Sequence, residues 1–383
     1  MASVSVAIAL VGAEAALHYL GPRAKPEPGK VFYEHDDLLG WHKIPNEEGV
    51  LVQPEYAVHK KINSKSLRGP EWSYEKPQPG LFRILFLGDS YCEGYAVELC
   101  DLFTEKLQKL LDSRHAGRYE VMNGGTGGYS TDQELLFFQT EGYKYQPDLV
   151  ILLFYYNDVV VNTQDAYWEY PKPLFKLDGD ELRLTNVPVP MPGCKEKAEE
   201  PSLTEWLSRD SRIYSFFADT LPQVSRLWSG DTSPPPMPPS WREFIVFQSS
   251  PSRETQNAWM LTEALLRRLR DEVHASGSEL VIFHVPFKAT VYLDEFDALR
   301  RRYRIPAELC DADRPGRDLA AVCGRLSIPL IDPLNELRNQ AEILKRQGKR
   351  LYFALDDHWT AEGNESVARI LYDHVAARVS SGE

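Results

Sequence analysis

The sequence predicts an α/β fold: a flavodoxin-like three-layer α/β/α arrangement around a five-stranded, mostly parallel sheet. Three observations carry this expectation. Five short apolar runs recur along the chain. Stretches of helical length separate most of them. The runs are continuous rather than alternating, which is the pattern of strands buried on both faces.

The first run, Phe82–Leu87, is closed by Gly88. The second is Tyr119–Met122, closed by Asn123, Gly124 and Gly125. The third is Asp148–Phe154, the fourth Glu279–Val285 and the fifth Ile328–Ile331. Helices are expected over roughly 98–112, 131–142, 255–275 and 333–347, with a last one at about 361–378. A sheet of this type offers ligands a crevice at the C-terminal ends of its strands.

Two segments precede the sheet. Residues 1–25 hold a mostly small and apolar stretch, Ala2–Leu17, broken by Glu14 and leading to a Pro/Gly linker at Gly21–Gly29. No basic residue comes before it, and it falls short of the ~20 apolar residues that span a bilayer. It reads either as the remnant of a membrane anchor or as an ordinary amphipathic helix. The first reading carries an expectation of membrane association and an extracytoplasmic location. Residues 26–80 read as a small β-rich lead-in, with extended pieces such as Tyr56–Ile62.

The sheet domain is expected over 81–380, with an insertion at about 165–250 between the third and fourth strands. That gap far exceeds an ordinary crossover. It contains Pro171 to Pro190, the polar run Lys195–Glu200 and the triplet Pro234–Pro236, and reads as loops and short helices forming a lid. Trp206, Tyr214, Phe216, Phe217 and Trp228 argue that part of it packs.

Composition excludes several classes. With 383 residues, 43% of them apolar and 26% charged, the chain is neither disordered nor a multi-span membrane protein. Lys and Arg total 43 against 56 Asp and Glu, a net charge of −13. Such a chain repels phosphate backbones, so no nucleic-acid partner is expected. The five cysteines, Cys92, Cys100, Cys194, Cys310 and Cys323, match no zinc spacing. They are read as free or buried thiols, with a Cys310–Cys323 disulfide open in an oxidising compartment. No metal and no cofactor is expected.

The chemistry-bearing residues stand at strand ends. Leu87-Gly88-Asp89-Ser90 puts a serine at the turn from strand to helix, where a helix N-terminus stabilises nearby negative charge. Plain turn chemistry would give the same tripeptide. After the second strand comes Asn123-Gly-Gly-Thr-Gly-Gly128, whose glycines let backbone N–H groups turn towards an anion. It lacks the Gly-Lys-Ser/Thr ending of a phosphate loop, so an oxyanion site fits better. The third strand leads to Asn157-Asp158, an amide donor or a helix cap. Near the C-terminus, Asp356-Asp357-His358-Trp359 has the makings of a general base with an orienting acid. His284 also lies at a strand end, where a satisfied core histidine is the plainer reading.

Taken together, these blocks resemble the SGNH/GDSL hydrolase superfamily over roughly residues 81–380. Gly88-Asp89-Ser90, Asn123–Gly128, Asn157-Asp158 and Asp356–His358 match its four blocks in order. Asn63-Ser64 and Arg68-Gly69 resemble a segment that precedes this domain in some bacterial members. The resemblance implies Ser90 as nucleophile, His358 as base, and an oxyanion hole of Ser90 N–H, Gly128 N–H and the Asn157 side chain. Gly128 fits the family pattern better than Gly124 or Gly125, and Asp89 is expected to be structural. In one respect the chain departs from the pattern: the usual orienting Asp lies three residues before the His, where this chain has Leu355. Asp356 is therefore assigned that role, with Asp357 the alternative. An Asp-x-His-Trp arrangement is similar to the variant in enzymes that O-acetylate bacterial exopolysaccharides. Cleavage of a short-chain or O-acetyl ester on a small molecule or glycan is the expected activity. The alternatives are O-acyl transfer to a cell-surface glycan and a catalytically silent glycan-binding module.

Overall fold

The structure is a computed structural model that describes residues 31–168, 170–179, 181–192 and 239–380. The N-terminal stretch 1–25 and Cys194, Lys195–Glu200, Trp206, Tyr214, Phe216, Phe217, Trp228 and Pro234–Pro236 lie outside the described residues.

Two hairpins come first. Strand β1 (Tyr33–Asp36) pairs with β2 (Gly40–Lys43), and β3 (Glu48–Val52) with β4 (Ala57–Lys61), both antiparallel. The central sheet follows: β5 (Phe82–Leu87), β6 (Tyr119–Asn123) and β7 (Leu149–Tyr155). Two small hairpins come next, β8 (Ala166–Tyr167) with β9 (Tyr170–Pro171) and β10 (Leu174–Asp178) with β11 (Glu181–Thr185). Strands β12 (Glu279–Val285) and β13 (Leu330–Ile331) complete the sheet. Within the described part, the 165–250 segment therefore opens on two hairpins where loops and short helices were expected. Its far end is a 3-10 helix, Pro239–Phe247.

The five strands run in the order β13-β12-β7-β5-β6, and every neighbouring pair is parallel. This is the predicted α/β/α fold with a wholly parallel sheet. All seven residues of β7 are buried, as the continuous apolar run requires. The chain reverses its direction of travel across the sheet between β5 and β7, the place where such folds leave a crevice. Right-handed crossovers then send the Phe103–His115 helix and the Thr131–Thr140 helix to opposite faces. The first packs against the C-terminal helix Ala361–Ser380, the second against Arg253–Ala275.

The predicted 98–112 helix is a 3-10 turn, Leu99–Asp101, followed by a helix three residues further along, Phe103–His115. Its buried Phe103, Leu107 and Leu111 recur every fourth residue, one stripe against the sheet. Arg253–Ala275 starts where Ser252 caps it, the hydroxyl accepting from Thr255 N at 3.1 Å. Two helices were not anticipated, Leu293–Arg302 and Arg314–Leu326. The first is rich in charge, and Phe296 is its one buried anchor. The second begins Arg314-Pro315-Gly316, residues that read as breakers, although proline is well suited to a first helical turn. Cys92, Cys100, Cys310 and Cys323 are free thiols, so no Cys310–Cys323 bridge forms. Among the described residues no helix is long and apolar enough to cross a membrane.

Candidate active site

Strand β5 delivers Ser90 to the first position of a one-turn helix, Ser90–Glu93. The turn needs Gly88 at φ +151°, where an added Cβ would lie 2.8 Å from Cys92 Cβ. Asp89 caps the helix, its Oδ1 accepting from Tyr91 N at 2.8 Å. This is the structural part expected of it.

The final loop brings His358 to the serine. Its Nε2 lies 2.7 Å from Ser90 Oγ, and its Nδ1 lies 2.5 Å from Asp356 Oδ1. Burial raises the Asp356 carboxyl, but hydrogen bonds and charge from His358, helped by Tyr56, outweigh it and hold the group near 2. An ionised Asp356 can only accept, so Nδ1 carries a proton and Nε2 presents a lone pair to the serine hydroxyl. The Tyr91 and Tyr95 rings flank the imidazole at 5.1 and 5.3 Å.

The two candidate acids separate cleanly. Asp357 turns away to Lys288, 3.3 Å from its Nζ, while its carbonyl accepts the Tyr91 hydroxyl at 2.5 Å. Leu355, at the position where the family pattern has its acid, is 80% exposed. His284 does not join this group: it pairs with Asp332 at 3.0 Å and is buried at the end of β12, as a core histidine would be.

The sheet order sets the loops after β6, β5 and β7 side by side. In the loop after β6, Gly124 N donates to Phe86 O, Gly125 N to Asn123 Oδ1 and Gly127 N to Glu93 Oε2. No partner occupies the Gly128 N–H among the described residues, and Gly128 adopts φ +79°. Asn157 follows β7. Among the described residues its amide makes one long bond, 3.3 Å to the Tyr167 hydroxyl, and its Oδ1 is buried without a partner. Gly125 is confined by packing, since a Cβ there would lie 2.5 Å from Glu93 N. These features favour Gly128 over Gly124 and Gly125 as an anion donor.

Sequence reasoning missed the support beneath these loops. Tyr56 donates to Asp356 Oδ2 at 2.8 Å. Glu55 accepts the backbone N–H groups of Ala354, Leu355 and Asp356 at 2.8, 2.7 and 2.8 Å. The β3–β4 turn thus clamps the His358 loop. From β4, Lys60 pairs with Glu93 at 2.6 Å, both side chains fully buried, and Tyr33 adds a 2.7 Å hydrogen bond. Burial would raise Glu93, but Lys60 and Lys43 hold it near 2. Lys43 Nζ donates to Gly125 O at 2.5 Å and Thr126 Oγ1 at 2.6 Å. Arg68 donates to the carbonyls of Glu93, Gly94 and Val97. The one available signal was the density of Lys, Arg and Tyr in a short β-rich segment, which reads equally as a solvated surface.

Comparison with known proteins follows the geometry. A family described as SGNH hydrolase-like domain, acetyltransferase AlgX, matches residues 246–383. The match takes in Asp356 and His358 and stops short of Ser90. A search of curated proteins gives no match. Among solved structures, an acetyl xylan esterase is 11% identical over 77% of this chain and 100% of its own, with a TM-score of 0.40. An acetylxylan esterase from Geobacillus stearothermophilus, as a catalytic mutant, is 14% identical over 76% and 92%, with a TM-score of 0.39. A lipase/acylhydrolase from Enterococcus faecalis is 12% identical over 78% and 97%, also at 0.39. Similarity of this order says nothing about substrate. Residues 246–383 of this chain are thus similar to an SGNH hydrolase-like domain, and they carry the last two strands of the five-stranded parallel sheet together with Asp356 and His358.

Proposed function

We propose that this protein is a serine enzyme that cleaves a short-chain or O-acetyl ester. The observation that carries the reading is the hydrogen-bonded chain Ser90 Oγ, His358 Nε2, His358 Nδ1, Asp356 Oδ1, with links of 2.7 and 2.5 Å. As Ser90 Oγ attacks the ester carbonyl, its proton passes to His358 Nε2. Asp356 keeps the imidazole in the required tautomer and stabilises the imidazolium. The carbonyl oxygen becomes an oxyanion held by Ser90 N–H, Gly128 N–H and the Asn157 amide, each such donor worth about 3 kcal/mol by analogy with a measured protease donor. The imidazolium returns its proton to the leaving alcohol, and an acyl-serine forms. Water attacks that ester with His358 again as base, releasing the acid and freeing Ser90. The residues themselves supply a nucleophile, a base and anion donors, so none of these steps calls on a metal or cofactor.

A second reading is favoured by the family description, which names an acetyltransferase. A sugar hydroxyl replaces water in the second half-reaction, on the same residues.

Ser90→Ala tests the common core. Turnover of p-nitrophenyl acetate and labelling by a serine-directed fluorophosphonate should both disappear. Labelling that persists in the variant overturns the assignment. Incubation of the wild type with an acyl donor and a glycan, followed by mass spectrometry, separates the two readings: acylated glycan supports transfer, and free acid alone supports hydrolysis.

A further inference from the structure

The β8–β9 hairpin carries an aromatic ledge that the proposed chemistry does not use. Trp168, at the turn, is 76% exposed, and Tyr170 is 52% exposed. Exposed aromatic area gathered at one place marks a binding surface more often than a chance arrangement. The ledge is not a loose tip. Trp168 stacks on Tyr167 with ring centres 4.8 Å apart and planes 20° from parallel. Trp41 lies 6.1 Å from Tyr170. Beneath the hairpin, Lys172 N donates to Asp165 O at 2.8 Å, and the Lys172 ammonium is buried against Asp132.

Its far side meets the candidate oxyanion donors. The Tyr167 hydroxyl accepts from Asn157 Nδ2 at 3.3 Å. A Cβ at Gly128 would lie 3.4 Å from Tyr167 Cδ1 and 3.3 Å from Trp41 Cζ2. Trp41 Nε1 donates to Gly127 O at 2.9 Å. Through Tyr167 and Trp41 the ledge is therefore built onto the two loops that would hold the oxyanion.

Among ester substrates, a sugar ring suits such a surface. One face of a pyranose presents C–H groups that carry partial positive charge, and an aromatic face carries partial negative charge. The hydroxyls at the ring's edge stay in water. An acyl chain would want an enclosed apolar groove, and here the rings stand in solvent. The surroundings also choose among sugars. A uronate carboxylate would want a free cation beside the rings. Lys172, the residue that follows β9, is buried and already paired with Asp132, so it is not free to serve one. A neutral sugar needs no such partner and suits the ledge better than a uronate.

We propose that Trp168, stacked on Tyr167 and backed by Tyr170 and Trp41, forms a subsite for a neutral pyranose ring of an acylated glycan. This rests on the ester-cleaving reading of Ser90, and the test keeps the two apart. The binding probe is xylohexaose, titrated against Ser90→Ala protein and against the Ser90→Ala/Trp168→Ala double variant by calorimetry. Circular dichroism and thermal melting show that both are folded. Binding should weaken at least tenfold without Trp168, and a Ser90→Ala/Trp168→Tyr protein should recover most of it. A hexuronate of the same length should bind Ser90→Ala protein more weakly than xylohexaose. Equal affinity with and without Trp168, or no xylohexaose binding at all, overturns the subsite. Equal or tighter hexuronate binding overturns the neutral-sugar assignment. Turnover of p-nitrophenyl acetate by the wild type is read separately. If it is absent while Trp168-dependent binding is present, the ester-cleaving reading falls and the subsite stands.

Discussion

Tyr56 donates a 2.8 Å hydrogen bond to Asp356 Oδ2, the carboxyl oxygen opposite the one that holds His358 Nδ1. The two residues are 300 positions apart in the chain. A residue of the lead-in therefore fixes the acid of the candidate triad. Tyr56→Phe removes that hydroxyl and leaves the ring against Phe353, 4.9 Å away. Hydrogen bonds to charged groups contribute roughly 1.5–3 kcal/mol, so kcat/KM on p-nitrophenyl acetate should drop about tenfold or more. The carboxyl should also lose part of what holds it near 2, against an ordinary 3.8. A lowered carboxyl adds stability that is present above the unfolded value and lost as pH falls towards the folded one. Acid unfolding of Tyr56→Phe should accordingly begin at higher pH than in wild type. A rate and an acid transition both equal to wild type would show that Tyr56 does not position Asp356.

The choice between neighbouring acids gives a second prediction. Asp356→Asn keeps the shape of the side chain but offers His358 an amide that can force the wrong tautomer. By analogy with serine-protease triads, kcat should fall by about 10³–10⁴. Asp357 faces Lys288 and not the imidazole, so Asp357→Asn leaves the Ser90–His358–Asp356 chain in place and should cost far less activity than Asp356→Asn. Comparable losses in the two variants would reject Asp356 as the orienting residue.

Spacing could not have decided this point. Both acids precede the histidine within two residues, and what distinguishes them is the direction each takes in the loop. That direction is imposed by Glu55, which gathers three backbone N–H groups of residues 354–356, and no local pattern in that loop records it. The sheet was legible for the opposite reason. Strands β5, β7 and β12 are buried on both faces, and that burial writes itself into five to seven successive residues. Strand β13 is a two-residue edge, and only its neighbourhood was visible. Ser90, Gly128, Asn157 and His358 could be nominated from the sequence because each stands where a strand or loop gives way to a turn. Lys43, Lys60, Arg68 and Glu93 were not. A buried charge and a surface charge look the same until the partner is known.

The Lys60–Glu93 pair gives a third prediction. Both side chains are fully buried, and Glu93 Oε2 also fixes Gly127 N, one residue before the candidate donor Gly128. Removing one member of a buried pair strands the other charge and typically costs about 3–5 kcal/mol. Lys60→Met should lower the unfolding free energy obtained from urea titration by that order. Lys60→Met/Glu93→Gln should be more stable than the sum of the single changes predicts, because neither charge is left alone. Strict additivity would mean the two side chains do not act as a pair. Activity should suffer most in Glu93→Gln, since that change also weakens the hold on the Gly127–Gly128 segment.

Asp89 supplies the last prediction, a pH dependence. Burial raises its carboxyl from 3.8 to about 6, with the Tyr91 N–H and the nearby His358 offsetting only part of the effect. Between those two values the folded protein holds a proton that the unfolded chain releases. Stability is therefore greatest below about 3.8 as far as Asp89 is concerned, and is lost as pH rises through 6. At about 1.4 kcal/mol for each pH step, the loss amounts to roughly 3 kcal/mol. Glu134 and Asp158 are raised by burial as well, and the two Glu134 oxygens have no hydrogen-bond partner among the described residues, so they act in the same direction. Asp356 acts oppositely, but only below about 3.8, outside this window. Asp89→Asn keeps an oxygen to cap Tyr91 N and cannot ionise. Its urea midpoint at pH 7.5 should exceed that of wild type, and its decline between pH 4 and 6.5 should be shallower, with Glu134, Asp158 and Glu243 among the groups responsible for what remains. An unchanged slope would mean that Asp89 is already ionised throughout this range, and that its ties to Tyr91 and His358 outweigh its burial.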